Sequence, residues 1–386
     1  MTIRVENGLK IIKPFAFLIS ANNYLHFVQI GKNNSAFGKR LLKNKGAAIG
    51  LILIACNLLL AAFAYIIALD NSTNANRIIP EIGSKQPGFS ISFLRLKREN
   101  ILPTPFLKSL VDGKEDTYQF IPITTYKIQG DSLVYDKFID DGLTDRKAIL
   151  NAVTTNQNIT KQTFYLGTDK FGRDILSRLI IGTRVSLGVG LIAVVISLTI
   201  GILLGALAGY FRGWADDVIM WFTNVIWSIP TLLLVFAITL VLGKGFWQVF
   251  MAVGLTMWVN VARLVRGQVL AVRELEYIEA ARALGYGHTR IIIKHILPNI
   301  LGPVMVIAAS NFASAIVIEA GLSFLGVGVQ PPQPSWGLMI KENYNFIITH
   351  NPMLALAPGI AIMQLVLAFN LLGNGLRDAL NVKAKL

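Results

Sequence analysis

The chain has 386 residues, 53% of them hydrophobic and 15% charged, with a mean hydropathy of +0.56. That balance is too apolar for an ordinary soluble domain and reads as a protein that crosses a membrane several times. The formal charge of +14 raises nucleic acid as a partner, but residues 70–182 hold 15 basic against 13 acidic residues, leaving +12 in or beside the apolar segments. Basic excess in those places sets orientation in a bilayer and is not a nucleic-acid patch.

A basic segment (Arg4, Lys10, Lys13, Lys32, Lys39, Arg40, Lys43, Lys45) precedes an uncharged run of 23 residues, Ala47 to Leu69. At about 1.5 Å per residue the run reaches roughly 34 Å, enough to cross a ~30 Å hydrocarbon core. A cleaved leader fits poorly, because the apolar run starts late and no small-residue cleavage site follows. The expectation is a cytoplasmic segment over 1–45 and a retained span over 46–69. The sole cysteine, Cys56, lies inside that span and packs as a small apolar residue.

Residues 70–165 change character, with mixed charge, Pro and Gly turns, and β-prone runs such as 119–126. They read either as a small folded outer domain or as an irregular extension held by a partner. The sequons at Asn71 and Asn158 are chance matches. Five further apolar segments follow, at 184–210, 217–242, 246–263, 299–321 and 354–376. With the N-terminus inside, loop 264–298 and tail 377–386 are cytoplasmic, while 70–183, 243–246 and 322–353 face outward. Charges agree: Arg263, Arg266, Arg273, Arg282, Arg290 and Lys294 mark the inner loop, and Arg377, Lys383 and Lys385 the tail. The two shorter outer loops hold only two basic residues, Lys244 and Lys341. The fold expected is an all-α polytopic membrane protein of six transmembrane helices. An enlarged extracytoplasmic insertion stands between the first two helices, and the core runs over 184–376.

Three stretches carry functional candidates. In the second span, Gly182, Ser186 and Gly190 recur every four residues, as do Gly201, Gly205 and Gly209. Small residues let helix backbones approach closely, at a subunit or path interface or within this chain. In the inner loop, Glu276 to Leu284 reads as a short helix, with Gly285 placed to end it in a left-handed conformation. Ala280 and Ala281 would leave a bare patch for a partner surface, flanked by Glu279 and Arg282. A second basic helix, about His288 to Ile296, would stop at Leu297-Pro298. A solvated interfacial loop is the plainer alternative. Third, Leu166-Gly167-Thr168-Asp169 and Gly172-Arg173-Asp174 lead into the second span.

Several chemistries have no residues to carry them. No phosphate-binding loop occurs, since Gly243-Lys244-Gly245 lacks the spacing and the hydroxyl. The four histidines (His26, His288, His295, His350) are scattered, and neither a metal-ligand cluster nor a catalytic triad or paired-carboxylate site can be assembled.

The spacing Glu279-Ala280-Ala281, Gly285, then Leu297-Pro298 resembles the coupling-loop motif of binding-protein-dependent ABC importer permeases, with His295 where an isoleucine usually stands. The Leu166–Asp174 stretch, continuing through Ser177, Arg178, Gly182, Arg184 and Ser186, is similar to the C-type subunits of dipeptide, oligopeptide and nickel permeases. Glu319-Ala-Gly-Leu-Ser323 through Gly328, then Pro334-Ser-Trp336-Gly337, is a third match. With Lys43-Asn-Lys45, the resemblance covers roughly residues 37–69 and 164–380; the stretch 70–163 is far longer than usual.

The resemblance implies a bacterial inner-membrane permease of the type I kind, importing di- or oligopeptides, or else nickel or another small solute. It implies a homologous permease, two ABC ATPases and an extracytoplasmic solute-binding protein as partners beside membrane lipid. This chain would bind no cofactor, with ATP and Mg held by the ATPases. Glu279, Ala280, Ala281, Arg282, Gly285, Leu297 and Pro298 would couple to the ATPase. Glu319, at the outer end of the fifth span, would line the path or steady a gate, or else pair with Arg184. Asn311 and Ser314 are further path candidates. Leu166–Asp174 would lie near the docked binding protein, or form a Gly turn capped by Asp169. The rivals are an ion-driven secondary transporter, which needs buried ionisable residues in several spans, and a receptor or scaffold for which the inner loop is dispensable.

Overall fold

The computed structural model describes residues 37–98, 104–129, 132–150, 159–243, 245–348 and 351–380. Most of the 1–45 segment, Asn158, Lys244, His26, His350, Lys383 and Lys385 lie outside them.

Helix α1 (Lys45–Ala62) begins where the Asn44 side chain accepts the Ala47 N–H at 3.2 Å, satisfying one of the open donors of a first turn. A one-turn continuation, Ala64–Ile67, follows. The next hundred residues depart from the all-α expectation. Strands β1 (Phe89–Lys97), β2 (Tyr118–Gln129), β3 (Ser132–Asp140), β4 (Leu143–Leu150) and β5 (Ile159–Phe164) form an antiparallel sheet in the order β4-β3-β2-β1-β5. A short helix, α2 (Phe106–Asp112), lies between β1 and β2. Side chains alternate across a strand, and here both faces are covered. Ile91, Phe93, Phe138 and Phe164 pack with Ile79 and Ile82, while Leu94, Ile123, Leu133 and Tyr135 pack separately. The stretch carrying β1–β5 is thus a folded unit with its own two apolar clusters.

The helical part resumes with α3 (Ile175–Phe211), whose 37 residues span about 55 Å, more than a bilayer core requires. Helices α4 (Gly213–Trp227) and α5 (Thr231–Leu242) follow, then α6 (Phe246–Arg273), α7 (Glu276–Ala283), α8 (His288–Leu325), α9 (Trp336–Asn343) and α10 (Met353–Leu380). Among the described residues five helices are long and apolar enough to cross a membrane, or six if α4 and α5 count as one. The expected third span, 217–242, is therefore corrected: its halves meet at 92°. Ser228-Ile229-Pro230 form the elbow, because Pro230 has no N–H with which to continue the ladder of α4. The fourth segment, expected to end near 263, runs ten residues further to Arg273. The outer loop 322–353 is not all irregular; Ser335 caps α9 by accepting the Leu338 N–H at 3.1 Å, and Trp336 donates to the Leu179 carbonyl at 3.0 Å.

The glycine stripe explains the tightest contact in the bundle. A Cβ on Gly205 would stand 2.5 Å from the Ala262 carbonyl oxygen; one on Gly201 would come closer still to Val261, and one on Gly209 would stand 2.9 Å from Val269 of α6. The other trio faces different neighbours: Gly182 abuts Trp336, Gly190 abuts Phe312, and Ser186 is buried. Both trios thus pack within this chain. Gly205→Leu should lower the thermal midpoint of the detergent-purified chain, at a cost of about 3 kcal/mol. Gly188→Leu, on the same helix but facing open space, should leave the midpoint unchanged; equal effects would remove the packing role.

Candidate functional site

The loop between α6 and α8 is a compact knuckle. Helix α7 ends in a closed C-terminal motif: Gly285 sits at φ +75°, its N–H bonds the Arg282 carbonyl at 2.9 Å, and Tyr286 N–H bonds Ala281 at 3.1 Å. This is the left-handed glycine stop expected from the sequence, and it satisfies carbonyls that the last turn leaves open. The helix buries Ile278 and Ala281 among Tyr210, Val265, Val269, Ile291, Ile296 and Ile300, at the ends of α3, α6 and α8. Ala281 therefore corrects the expected bare patch. It faces the core, and Ala280 alone of the pair is exposed. The outward face carries Glu276, Tyr277, Glu279, Ala280, Ala283 and Leu284, the last 72% exposed.

Tyr210 is the hub of this region. Its carbonyl accepts from Arg273 Nη1 at 2.6 Å, its hydroxyl meets His288 Nδ1 at 2.9 Å, and Arg282 lies 5.4 Å from its ring. Arg282 is thus turned toward the bundle and does not flank Glu279 on the outer face. His295 stacks on Tyr286 with centroids 5.9 Å apart, so the two loop histidines have different neighbours. Leu297-Pro298 also needs correcting. No helix stops there; α8 runs from His288 to Leu325, with a wider π-turn over Ile292–Ile296 just before the proline. Pro298 lacks a donor N–H, and the looser turn accommodates the missing bond.

Above the knuckle, a cavity of about 620 Å³ opens among α5, α6, α8 and α10. Its polar lining is Thr231, Thr256, Asn260, Ser310, Asn311, Ser314 and Asn370. Asn311 is also tied to Ser197 Oγ at 3.4 Å. The sequence pointed to Asn311 and Ser314 but missed Asn260 and Asn370. The signal was present: each is an amide in an apolar helix, the kind of residue that turns toward a bundle interior or a polar space.

Glu319 is not part of this cavity. It is 1% exposed, and Ser323 Oγ donates to its Oε1 at 2.6 Å, while Oε2 has no protein partner. Ser323 Oγ also accepts the Val329 N–H at 3.1 Å and meets Ser335 Oγ at 3.3 Å. The carboxyl therefore fastens the turn from α8 into α9. The alternative of a pair with Arg184 is corrected: Arg184 donates to the carbonyls of Leu110 and Val111 at 3.1 and 2.8 Å.

The Leu166–Asp174 stretch forms the corner where sheet and helices join. Leu166 packs toward the Trp336 cluster, Gly167 lies against the Lys85 carbonyl, and Thr168, Asp169, Arg173 and Asp174 are all buried. Asp169 Oδ1 accepts the N–H groups of Phe171 and Arg173 at 2.9 and 3.0 Å, closing a turn that passes through Gly172 at φ +74°. Arg173 then reaches Asp169 at 2.6 Å, Glu342 at 2.8 Å and Asn76 at 3.2 Å. Asp174 caps α3 through Ser177 N–H at 2.9 Å. Burial pushes the Asp174 carboxyl above the usual carboxylate range; the Ser177 hydrogen bonds oppose this, and the neighbouring Asp70 adds to it. The geometry is that of the turn capped by Asp169. Among the described residues no group of three His, Cys, Asp or Glu could hold a metal ion.

The family described as binding-protein-dependent transport system inner membrane component matches residues 201–385. The glutathione transport system permease protein GsiD of Pectobacterium atrosepticum is 44% identical over 221 residues, covering 57% of this chain and 73% of that protein. The dipeptide transport system permease protein DppC of Alkalihalophilus pseudofirmus is 43% identical over 221 residues, covering 57% and 72%. Among solved structures, the inward-facing MetNI methionine ABC transporter superposes loosely, with a TM-score of 0.44 and 20% identity over 53% of this chain and 96% of that chain.

Proposed function

Because this chain belongs to the family of binding-protein-dependent transport system inner membrane components, we propose that it is the path-forming subunit of an ATP-driven importer of small peptides. It is a transport permease and not an enzyme. A homologous permease would complete the path, two ATPases would bind ATP and Mg, and a solute-binding protein would deliver the cargo. In this arrangement the α6–α8 knuckle and both termini face the cytoplasm, and the sheet faces outward. Glu279, Ala280, Gly285 and Leu284 form the ATPase-facing surface, with Ala281 and Arg282 seating it on the bundle.

The observation that carries this reading is the seating of α7. It is anchored by Ile278 and Ala281 to the ends of three long helices while its opposite face is bare. A push on that face is delivered to α3, α6 and α8 together. Each nucleotide state of the ATPases then needs only to favour one arrangement of the bundle. Asn260, Asn311, Ser314 and Asn370 in the cavity offer both donors and acceptors, which suits the amide groups of a peptide.

Reconstitution with a permease, ATPase and binding-protein partner tests this, using labelled di- and tripeptides and, separately, radioactive nickel. Peptide accumulation should require ATP and the binding protein. Asn260→Leu with Asn370→Leu should cut it about tenfold, the worth of one or two neutral hydrogen bonds, while the ATPases stay bound. Uptake that follows an imposed ion gradient without ATP would overturn the reading, and nickel uptake without peptide uptake would overturn the cargo.

A further inference from the structure

The short helix α2 carries an apolar face that none of the described residues covers. Phe106 is 71% exposed, Leu107 76% and Val111 61%. On a helical wheel these residues and the half-buried Leu110 fall on one arc, while Lys108, Ser109 and Asp112 fall on the other.

Three contacts fix where this face lies. Arg184 holds the C-terminal carbonyls of α2, Leu110 and Val111, and its guanidinium stands 5.2 Å from the Tyr65 ring just after α1. Gly113, immediately after α2, packs against the same Tyr65 ring. Lys114 N–H bonds the Asn71 carbonyl at 2.9 Å. Helix α2 is therefore pinned to the point where α1 ends and where, roughly 14 Å along α3 from Ile175, the uncharged apolar run of that helix begins. An arginine and a tyrosine at such a level mark the headgroup zone. The exposed residues at the end of the first span, Phe63, Ile66, Ile67 and Leu69, continue the same apolar surface. Lys108 and Lys114 stand exposed beside it, where anionic headgroups would meet them.

We propose that α2 is a membrane-surface anchor, its Phe106, Leu107 and Val111 side chains resting in the lipid leaflet on the sheet's side of the bilayer. The occupant of this face is lipid. The anchor holds the sheet domain at a fixed height and tilt over the bundle, independently of what the bundle transports.

The lone cysteine makes the test direct. In a Cys56→Ala background, Phe106→Cys, Leu107→Cys and Val111→Cys are labelled singly with a nitroxide, with Lys108→Cys as the polar-side control. The full chain is placed in nanodiscs of phosphatidylcholine and phosphatidylglycerol, and collision rates with oxygen and with a water-soluble nickel chelate are compared. The expected result is oxygen exceeding nickel severalfold at 106, 107 and 111, with the ratio reversed at 108. Nickel dominance at all three positions would mean a water-exposed face and would overturn the proposal. Low collision with both reagents would mean a protein cover and would overturn it equally. The chain is tested without its importer partners, so failure here says nothing against the transport reading.

Discussion

Leu284→Asp is expected to abolish ATP-driven peptide uptake while leaving the fold intact. Leu284 closes α7 at a conformation any residue adopts (φ −76°) and is 72% exposed, so the substitution removes no internal contact. On the proposed ATPase-facing surface it would place a charge where an apolar side chain would be buried. The loss of one central apolar contact at an interface is worth about 2–4 kcal/mol, which is roughly 30- to 1,000-fold in binding. Uptake should fall to background, and the ATPases should no longer co-purify, with the thermal midpoint of the chain unchanged. Ala281→Asp makes the contrast. Its carboxylate would sit among Ile278, Ile291, Ile296 and Val269, where an unpaired charge is costly, so uptake and thermal midpoint should fall together. If Leu284→Asp transports and co-purifies normally, α7 is not the coupling surface.

Arg173→Met is expected to be the most destabilising single change outside the spans. The side chain is 3% exposed and its guanidinium joins Asp169, Glu342 and Asn76. Removing it leaves the buried Asp169 and the partly buried Glu342 without their main counter-charge, since Arg178 reaches Glu342 only at 3.4 Å. Breaking a buried pair in this way costs about 3–5 kcal/mol. Arg173→Lys should recover little of the loss, because the three N–H groups of an ammonium radiate from one nitrogen and cannot span acceptors spread around the Nε, Nη1 and Nη2 of a planar guanidinium. The measurement is the thermal midpoint of both variants in detergent, together with trypsin sensitivity of the sheet. A midpoint unchanged in Arg173→Met would show that the corner does not depend on this side chain.

Much of the helical framework was legible in the amino-acid order because a bilayer demands long apolar runs, and five such runs became helices. The elbow at Ser228-Ile229-Pro230 escaped, although a proline in mid-run was the visible cue. The glycine stop at Gly285 was legible because only a left-handed residue closes that motif. Which face of α7 turns inward was not read correctly from the Glu-Ala-Ala run, yet the apolar pair Ile278 and Ala281, three apart, carried the answer. The sheet was only half visible: the β-prone run at 119–126 is part of β2, but the pairing of β1 with β5 joins residues some seventy positions apart. The Leu166–Asp174 corner looked like a surface motif because it is polar. Its charges are buried because they satisfy one another, a property of assembled neighbours such as Glu342 and Asn76, not of the segment itself.

The π-turn over Ile292–Ile296 also fixes an angle. It takes one residue more than an α-turn, so everything on its knuckle side is rotated by about 100° relative to an unbroken helix. His288 meets Tyr210, and Ser310, Asn311 and Ser314 meet the cavity, only because that offset sits between them. Helix α8 is thus a shaft keyed at one point. Straightening this turn with every residue kept would throw the two ends about 100° out of phase, whereas deleting a single residue from Ile292–Lys294 would leave a smooth helix with both ends still in phase.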